Sequence, residues 1–410
     1  MRRLRLDRPV SPGATLARDV TGPGGEIIAR AGHALTDRTL QALKGRGVSW
    51  CFVNDRWGEG LHVVPLDSGR STVRPLLRDF NQKVRELVAP LLNMSTQRAL
   101  EGLRNGRPTA PLARSRFVDD LPSVVRVFIE DCEQADPMGG YLIDRSSGGD
   151  EDGHSIGVAA VTSRLATLVG MDARERVTAV CAALLHDAGM VFVPRQVLAI
   201  PHSQRSIPER IRYEDHAILG EAMLEPFGGP SLHLSIVAGE HHEAADASGF
   251  PRGRKGGHRV LRTAEEKRDL ERVTLTSEII AVADAYERIV SPSPGYSGHS
   301  PAAARDILES LAGRTLNREV VHRLLASFPV LPLGTDIRVV RGGYEGMTGV
   351  VCAIPPGHQE QPVVRLFLDP AGHPLPTAIE IALADTPDAA IEVLDAAVPD
   401  LPMRAKVGER

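Results

Sequence analysis

The 410-residue sequence has few cysteines, no long apolar run and no basic excess. Its 4 Cys, at positions 51, 132, 181 and 352, are scattered without a CxxC pair. That excludes a cysteine-rich zinc site and a disulfide framework, and reads as reduced thiols. No stretch approaches the roughly 18 apolar residues of a membrane span. The start, MRRLRLDRPVSPG, carries arginines but no apolar h-region, so no cleaved signal peptide is expected. A formal net charge of -4 argues against duplex nucleic acid as a partner. There is no GxxxxGK[ST] loop, which disfavours an NTPase of that type, and no internal repeat. What remains, 42% hydrophobic and 24% charged, is the composition of a globular chain of more than one domain, expected in the cytoplasm without membrane attachment.

The pattern divides into five parts. Residues 1–65 read as a small α+β leader module: Glu26 to Ala29 and Val48 to Val53 as strands, with a helix between them that Thr36-Asp37 opens and Gly45 and Gly47 close. Residues 66–150 form a helical connector ending in a loop. Leu76, Leu77, Phe80, Val84, Leu87 and Leu91 fall at helical spacing and predict a face packed on a neighbouring helix. Ser123 to Ile129 fits either a helix or a strand. Residues 151–330 are mostly helical, with apolar faces at Val158 to Leu168, Val177 to Leu185 and Leu275 to Tyr286; Gly189 is expected as a helix C-terminal cap. Residues 331–398 change to short β-branched runs at Asp336–Val340, Gly349–Ala353, Val363–Leu368 and Ile379–Leu383, which predict a small antiparallel β module. Residues 399–410 read as a tail. The fold class is therefore mainly α: a helical bundle with small flanking α+β and β modules.

The chemistry lies in the histidines. His186-Asp187 ends the apolar run AVCAALLHDAG, and a carboxylate placed beside an imidazole in such surroundings is costly unless something compensates it. Glu240-His241-His242-Glu243 follows a second apolar run, and Asp284 sits inside a third, SEIIAVADAYERIV. Each alone has an ordinary explanation: a hydrogen-bonded core histidine, or an Asp284 paired with Arg288. Together, His154, His186, Asp187, His216, His241, His242 and Asp284 place seven imidazole or carboxylate groups in one helical segment. That donor set suits Fe, Mn, Zn or Ni. Two cations about 3.5–4 Å apart are a recurring device for displacement at phosphorus.

In order, His154-Ser155, His186-Asp187-Ala188-Gly189, His216 in EDHAILG, His241-His242-Glu243, Asp246, Gly249-Phe250-Pro251 and Asp284 resemble an HD-GYP domain over about residues 150–330. This is a branch of the HD metal-dependent phosphohydrolases whose members typically hydrolyse cyclic di-GMP. The run SPGATLARDVTGPGGEIIARAGHALT is similar to the leader often found beside this domain, and LPLGTDIRVVRGGYEGMTGVV to its C-terminal β extension.

The resemblance implies a bimetallic phosphodiesterase acting on cyclic di-GMP or a related phosphodiester through metal-bound hydroxide. His154, His186, Asp187 and Asp284 would hold one cation. Asp187 would bridge to a second, completed by His216, His241 and His242, with Asp187 and His186 as the catalytic pair. Fe or Mn is implied first, Zn or Ni as alternatives. A signalling protein or a second copy of the chain is the implied macromolecular partner.

Several positions depart from the family pattern. Met190 stands in place of the Lys of HDxGK, and Ile200 in place of a second Lys. Ser293 lies where an Arg is usual, Ala247 where a Gly is usual, and Phe250 replaces the Tyr of GYP. Asp150 occupies the position from which some members hold a third metal. The ligands are kept while phosphate-contacting cations are lost. Arg195, Arg252 and Lys255, with Phe250, are the candidates for substrate contact, and Arg254 a further one. The alternative is a weak or inactive sensor module that retains metal. Restoring a cation at position 190 is expected to raise phosphodiesterase activity or affinity; unchanged kinetics in Met190→Lys would place the phosphate contacts elsewhere.

Overall fold

A computed structural model describes residues 1–6, 10–21, 27–46, 48, 50–61, 68–105, 111, 116–134, 151–227, 232–266, 268–269, 271–291, 299, 301–329, 331–355 and 360–394. Asp150, Ser293 and the expected tail lie outside the described residues.

The leader contains strands β1 (Arg2–Arg5), β2 (Thr15–Leu16), β3 (Val20–Thr21), β4 (Ile27–Ala29) and β5 (Trp50–Asn54). β5 runs antiparallel between β1 and β2, and β3 pairs with β4. Helix α1 (Asp37–Lys44) starts where expected, because the Thr36 side chain accepts from Thr39 N and satisfies one of its free amides.

The connector read as one helical stretch is two helices, α2 (Ser68–Val88) and α3 (Thr96–Arg104), parted by a 3-10 turn at Ala89–Leu91. Pro90 sits at the start of that turn, where its missing amide breaks no helical hydrogen bond. α4 (Arg116–Gln134) resolves the ambiguous Ser123–Ile129 run as helix. Val73, Leu77, Phe80, Val84 and Val88 of α2 are buried against Phe117, Leu121, Val125 and Phe128 of α4, with the Phe80 and Phe117 rings 4.4 Å apart. These residues belong to the same core as the helices that follow.

That core is organised by α5 (Glu151–Leu168) and α6 (Ala173–Leu185), which pack on each other. Ala179 to Leu185 are all buried, as are Val158 to Val161, so these stretches are apolar on all sides because other elements cover them. Around them lie α7 (Arg195–Leu198), α8 (Ile207–Leu224), α9 (Leu232–Glu240), α10 (Leu275–Val290), α11 (Pro301–Leu311) and α12 (Arg318–Ser327). α8 packs on α9, and α10 on α5. Capping boxes start α6 (Asp172 with Glu175) and α8 (Ser206 with Glu209).

Gly189 is not a helix cap. It lies in a 3-10 turn, Ala188–Phe192, pressed against α8. A Cβ there would meet His216 O at 2.0 Å and Gly220 N at 2.7 Å, so only glycine permits this approach.

The C-terminal module is one antiparallel sheet of β6 (Asp336–Arg341), β7 (Thr348–Ala353), β8 (Val363–Leu368), β9 (Pro374–Ala382) and β10 (Ala390–Val393), in the order β10-β6-β7-β8-β9. β10 was not expected; it is short and carries little apolar pattern. The leader touches this sheet. Trp57 stacks on Phe367 at 4.4 Å, within a shared cluster of Leu61, Val350 and Leu368. Arg365 donates to the carbonyl of Glu59 at 2.5 Å. Among the described residues no helix is long and apolar enough to cross a membrane.

Candidate metal centre

Five separate elements deliver the seven residues to one place. His154 lies in the first turns of α5, and His186 caps the C-terminus of α6 with Asp187 immediately after it. His216 is midway along α8, His241 and His242 follow α9, and Asp284 lies midway along α10. His186, His216, His241 and Asp284 are buried.

Asp187 is at the centre. Its Oδ2 lies 3.6 Å from His154 Nε2 and 3.4 Å from His186 Nε2. Its Oδ1 lies 3.4 Å from both His216 Nε2 and His241 Nε2. Asp284 Oδ1 adds contacts of 2.9 Å to His154 Nε2 and 3.8 Å to His186 Nε2. The groups Asp187–His216–His241–His242 and His154–His186–Asp187 each have ligand atoms close enough to share an ion.

The outer nitrogens orient the rings. Nδ1 of His186 donates to Ala183 O (2.7 Å), that of His216 to Tyr213 O (2.6 Å), and that of His241 to Ala238 O (3.0 Å). A carbonyl can only accept, so these rings carry their proton on Nδ1 and turn a lone pair on Nε2 inward. His154 Nδ1 donates to Glu287 Oε2 at 2.5 Å. The buried Nε2 atoms of His154 and His186 and Oδ1 of Asp187 make no hydrogen bond. Buried polar atoms without partners are costly. Together with an imidazole and carboxylate donor set, they fit a divalent transition metal.

Electrostatics follow the same arrangement. Burial pushes His186 down to about 4. Burial, then the neighbouring His241 and His216, hold His242 well below the ordinary range. Burial opposes charge on Asp187, but His186, the close rings of His216 and His241, and the Arg288 guanidinium hold its carboxyl well below the usual range. Asp284 is held down likewise, chiefly by Arg288 and His154 against its burial. Neutral imidazoles and ionised carboxylates are the forms that bind metal.

Of the residues expected to contact substrate, Phe250 is at the cluster, its ring 4.5 Å from that of His242. Arg195 and Lys255 are exposed. Arg252 is bound by Glu221, and Arg254 Nη1 donates to Glu240 Oε1 at 2.8 Å. Met190 packs with Val193, Val197, Tyr213 and Phe250 in a small apolar cluster.

Residues without an expected role complete the site. Glu240 and Glu243 flank the two histidines. Glu240 is buried and accepts from Ser277 Oγ and Thr274 N, and Glu243 accepts from the backbone amides of Arg252 and Arg254. This pins the Gly249–Pro251 loop, whose glycine is required because a Cβ would meet Ala244 N and His242 O at 2.4 Å. Ala247 in the same loop has φ of 62°, a left-handed conformation. An alanine pays about 1 kcal/mol there that glycine does not. Ala247→Gly is therefore expected to stabilise the fold by about that amount, read as a higher melting temperature with the metal content unchanged.

Glu287, fully buried with 0% exposure, stands one turn after Asp284 on the same helix and fixes the His154 ring. The signal was there: an acidic residue at i+3 from Asp284 in an apolar run. Loss of such an outer partner typically costs 10- to 100-fold in metal affinity. Glu287→Gln is expected to fall in that range by Mn titration, and wild-type affinity would remove Glu287 from the centre.

Residues 133–262 match the HD domain family. A cyclic di-GMP phosphodiesterase of Thermotoga maritima is 31% identical over 42% of this chain and 43% of its own length. A 3'3'-cGAMP-specific phosphodiesterase of Vibrio cholerae is 27% identical over 44% of this chain and 36% of its own. The chain thus spans under half the length of these curated relatives. A solved HDG"Y"P protein from Bdellovibrio bacteriovorus aligns with a TM-score of 0.39 and 14% identity, over 79% of this chain and 98% of that one. The helical core and its His–Asp cluster define an HD domain. With Gly249-Phe250-Pro251 beside the paired histidines, this domain is similar to those of the HD-GYP kind.

Proposed function

We propose that the chain is a metal-dependent phosphodiesterase acting on a cyclic dinucleotide, in a cytoplasmic setting, with two divalent cations, Fe or Mn before Zn or Ni. His154, His186, Asp187 and Asp284 would hold one, and Asp187, His216, His241 and His242 the other. One observation carries the reading: the two oxygens of Asp187 face different pairs of histidines. A carboxylate so placed would serve two ions at once. When bound, such a pair makes water nucleophilic near neutral pH and takes up charge developing on phosphoryl oxygens. The chain's part is orientation: carbonyls and Glu287 lock the imidazoles, and Phe250 walls one side of the cluster beside His242.

A second reading, a metal-retaining sensor with little turnover, is favoured by Met190, packed in an apolar cluster where a Lys is usual, and by the pairing of Arg252 and Arg254 with Glu221 and Glu240. Full-length protein supplied with Mn(II), or with Fe(II) under argon, separates the two. The first reading expects cyclic di-GMP or 3'3'-cGAMP to be opened to linear product. Metal-replete protein that leaves both intact overturns it in favour of the sensor.

A further inference from the structure

The centre has a cation whose expected role, pairing with Asp284, accounts for one of its two contacts. Arg288 lies one turn beyond Asp284 on α10, and its guanidinium spans two carboxylates from different elements. Nε donates to Asp284 Oδ1 at 2.8 Å, and Nη2 to Asp187 Oδ2 at 3.1 Å. Among the described residues it is the Lys or Arg that pairs with this cluster. Its side chain is 42% exposed, against 12% for Asp187 and 8% for Asp284, so it sits on the solvent side of the ligands. Nη1 makes no hydrogen bond or ion pair with a described residue. The positions where the family resemblance places phosphate-contacting lysines hold Met190, within an apolar cluster, and Ile200.

A guanidinium offers five donors in a fixed fork that matches two oxygens of a phosphate, and it stays charged at any working pH. Two of those donors hold Arg288 against the carboxylates, which leaves three for an incoming anion. At 42% exposure the guanidinium is more accessible to an anion than the buried His186, His216 and His241. Carboxylate oxygens have further lone pairs for cations, so the guanidinium need not leave when metal binds.

We propose that Arg288 is the phosphate-anchoring residue of this centre, gripping the non-bridging oxygens of the scissile phosphodiester in place of the missing lysines. The assignment rests on the phosphodiesterase reading for its substrate, but its test does not. Mn-replete full-length wild type, Arg288→Ala and Arg288→Lys are compared by metal analysis and by calorimetric titration with inorganic phosphate. The alanine variant is expected to keep its Mn and bind phosphate about 10- to 100-fold more weakly, with part of the loss recovered by lysine. In turnover assays the same change is expected in KM more than in kcat.

Phosphate affinity in Arg288→Ala within twofold of wild type, or no phosphate binding by wild type, overturns the proposal. So does loss of Mn in both variants, which would make Arg288 a positioning residue for Asp187 and Asp284. If the phosphate result is as expected but no cyclic dinucleotide is opened, the anchor stands and the phosphodiesterase reading falls.

Discussion

Asp187→Ala is expected to strip the protein of bound metal and to take hydrolysis below detection while the helical core still melts cooperatively. The carboxylate is the group common to both histidine sets, with Oδ2 toward His154 and His186 and Oδ1 toward His216 and His241. No other carboxylate among the described residues contacts both sets. Removing an outer partner of a ligand costs 10- to 100-fold in affinity, so removing a shared ligand is expected to exceed about 100-fold at both positions. The fold is expected to tolerate the loss because Asp187 lies past the end of α6 and its oxygens lie against four imidazoles and the Arg288 guanidinium. Metal content by mass spectrometry after desalting reads the outcome directly. Wild-type occupancy in this variant would contradict the assignment.

Gly189→Ala is expected to destabilise the protein by about 3 kcal/mol, the upper end of ordinary overpacking. The added methyl would lie 2.0 Å from His216 O and 2.7 and 2.9 Å from backbone atoms of Gly220, none of which can rotate aside. The 3-10 turn after Asp187 and the middle of α8 must then separate. That shift carries His216 away from Asp187 Oδ1, so metal affinity falls along with stability. Melting temperature and Mn stoichiometry measured on the same sample test this. A variant that melts within a degree of wild type and holds its full metal would show that the two backbones are not in close contact.

Much of this was legible in the residues. His186-Asp187, the paired histidines and Asp284 stood out because charged or metal-binding groups interrupted apolar helices, a local contrast that needs no coordinates. The helical core and four of the five strands of the C-terminal sheet were readable from periodicity. The rest depends on distance in space. The sequence neighbourhood of Gly189 suggests a helix end, whereas its role is set by Gly220 and His216 on another helix. Arg288 was readable as a partner of Asp284, which the structure bears out, but its second contact, to Asp187, joins residues 101 apart in sequence. Glu287 was passed over because an acidic residue on an amphipathic helix usually faces water. The stacking of Trp57 on Phe367, which brings leader and C-terminal sheet together, has no local signature at either end.

The central claim is that one carboxylate is shared by two cations. Anomalous diffraction from crystals of the Mn-replete protein, recorded at the manganese edge, tests it most directly. Two peaks about 3.5–4 Å apart, one on each side of Asp187, are predicted. A single peak, or two peaks of which one lies away from Asp187, would contradict it.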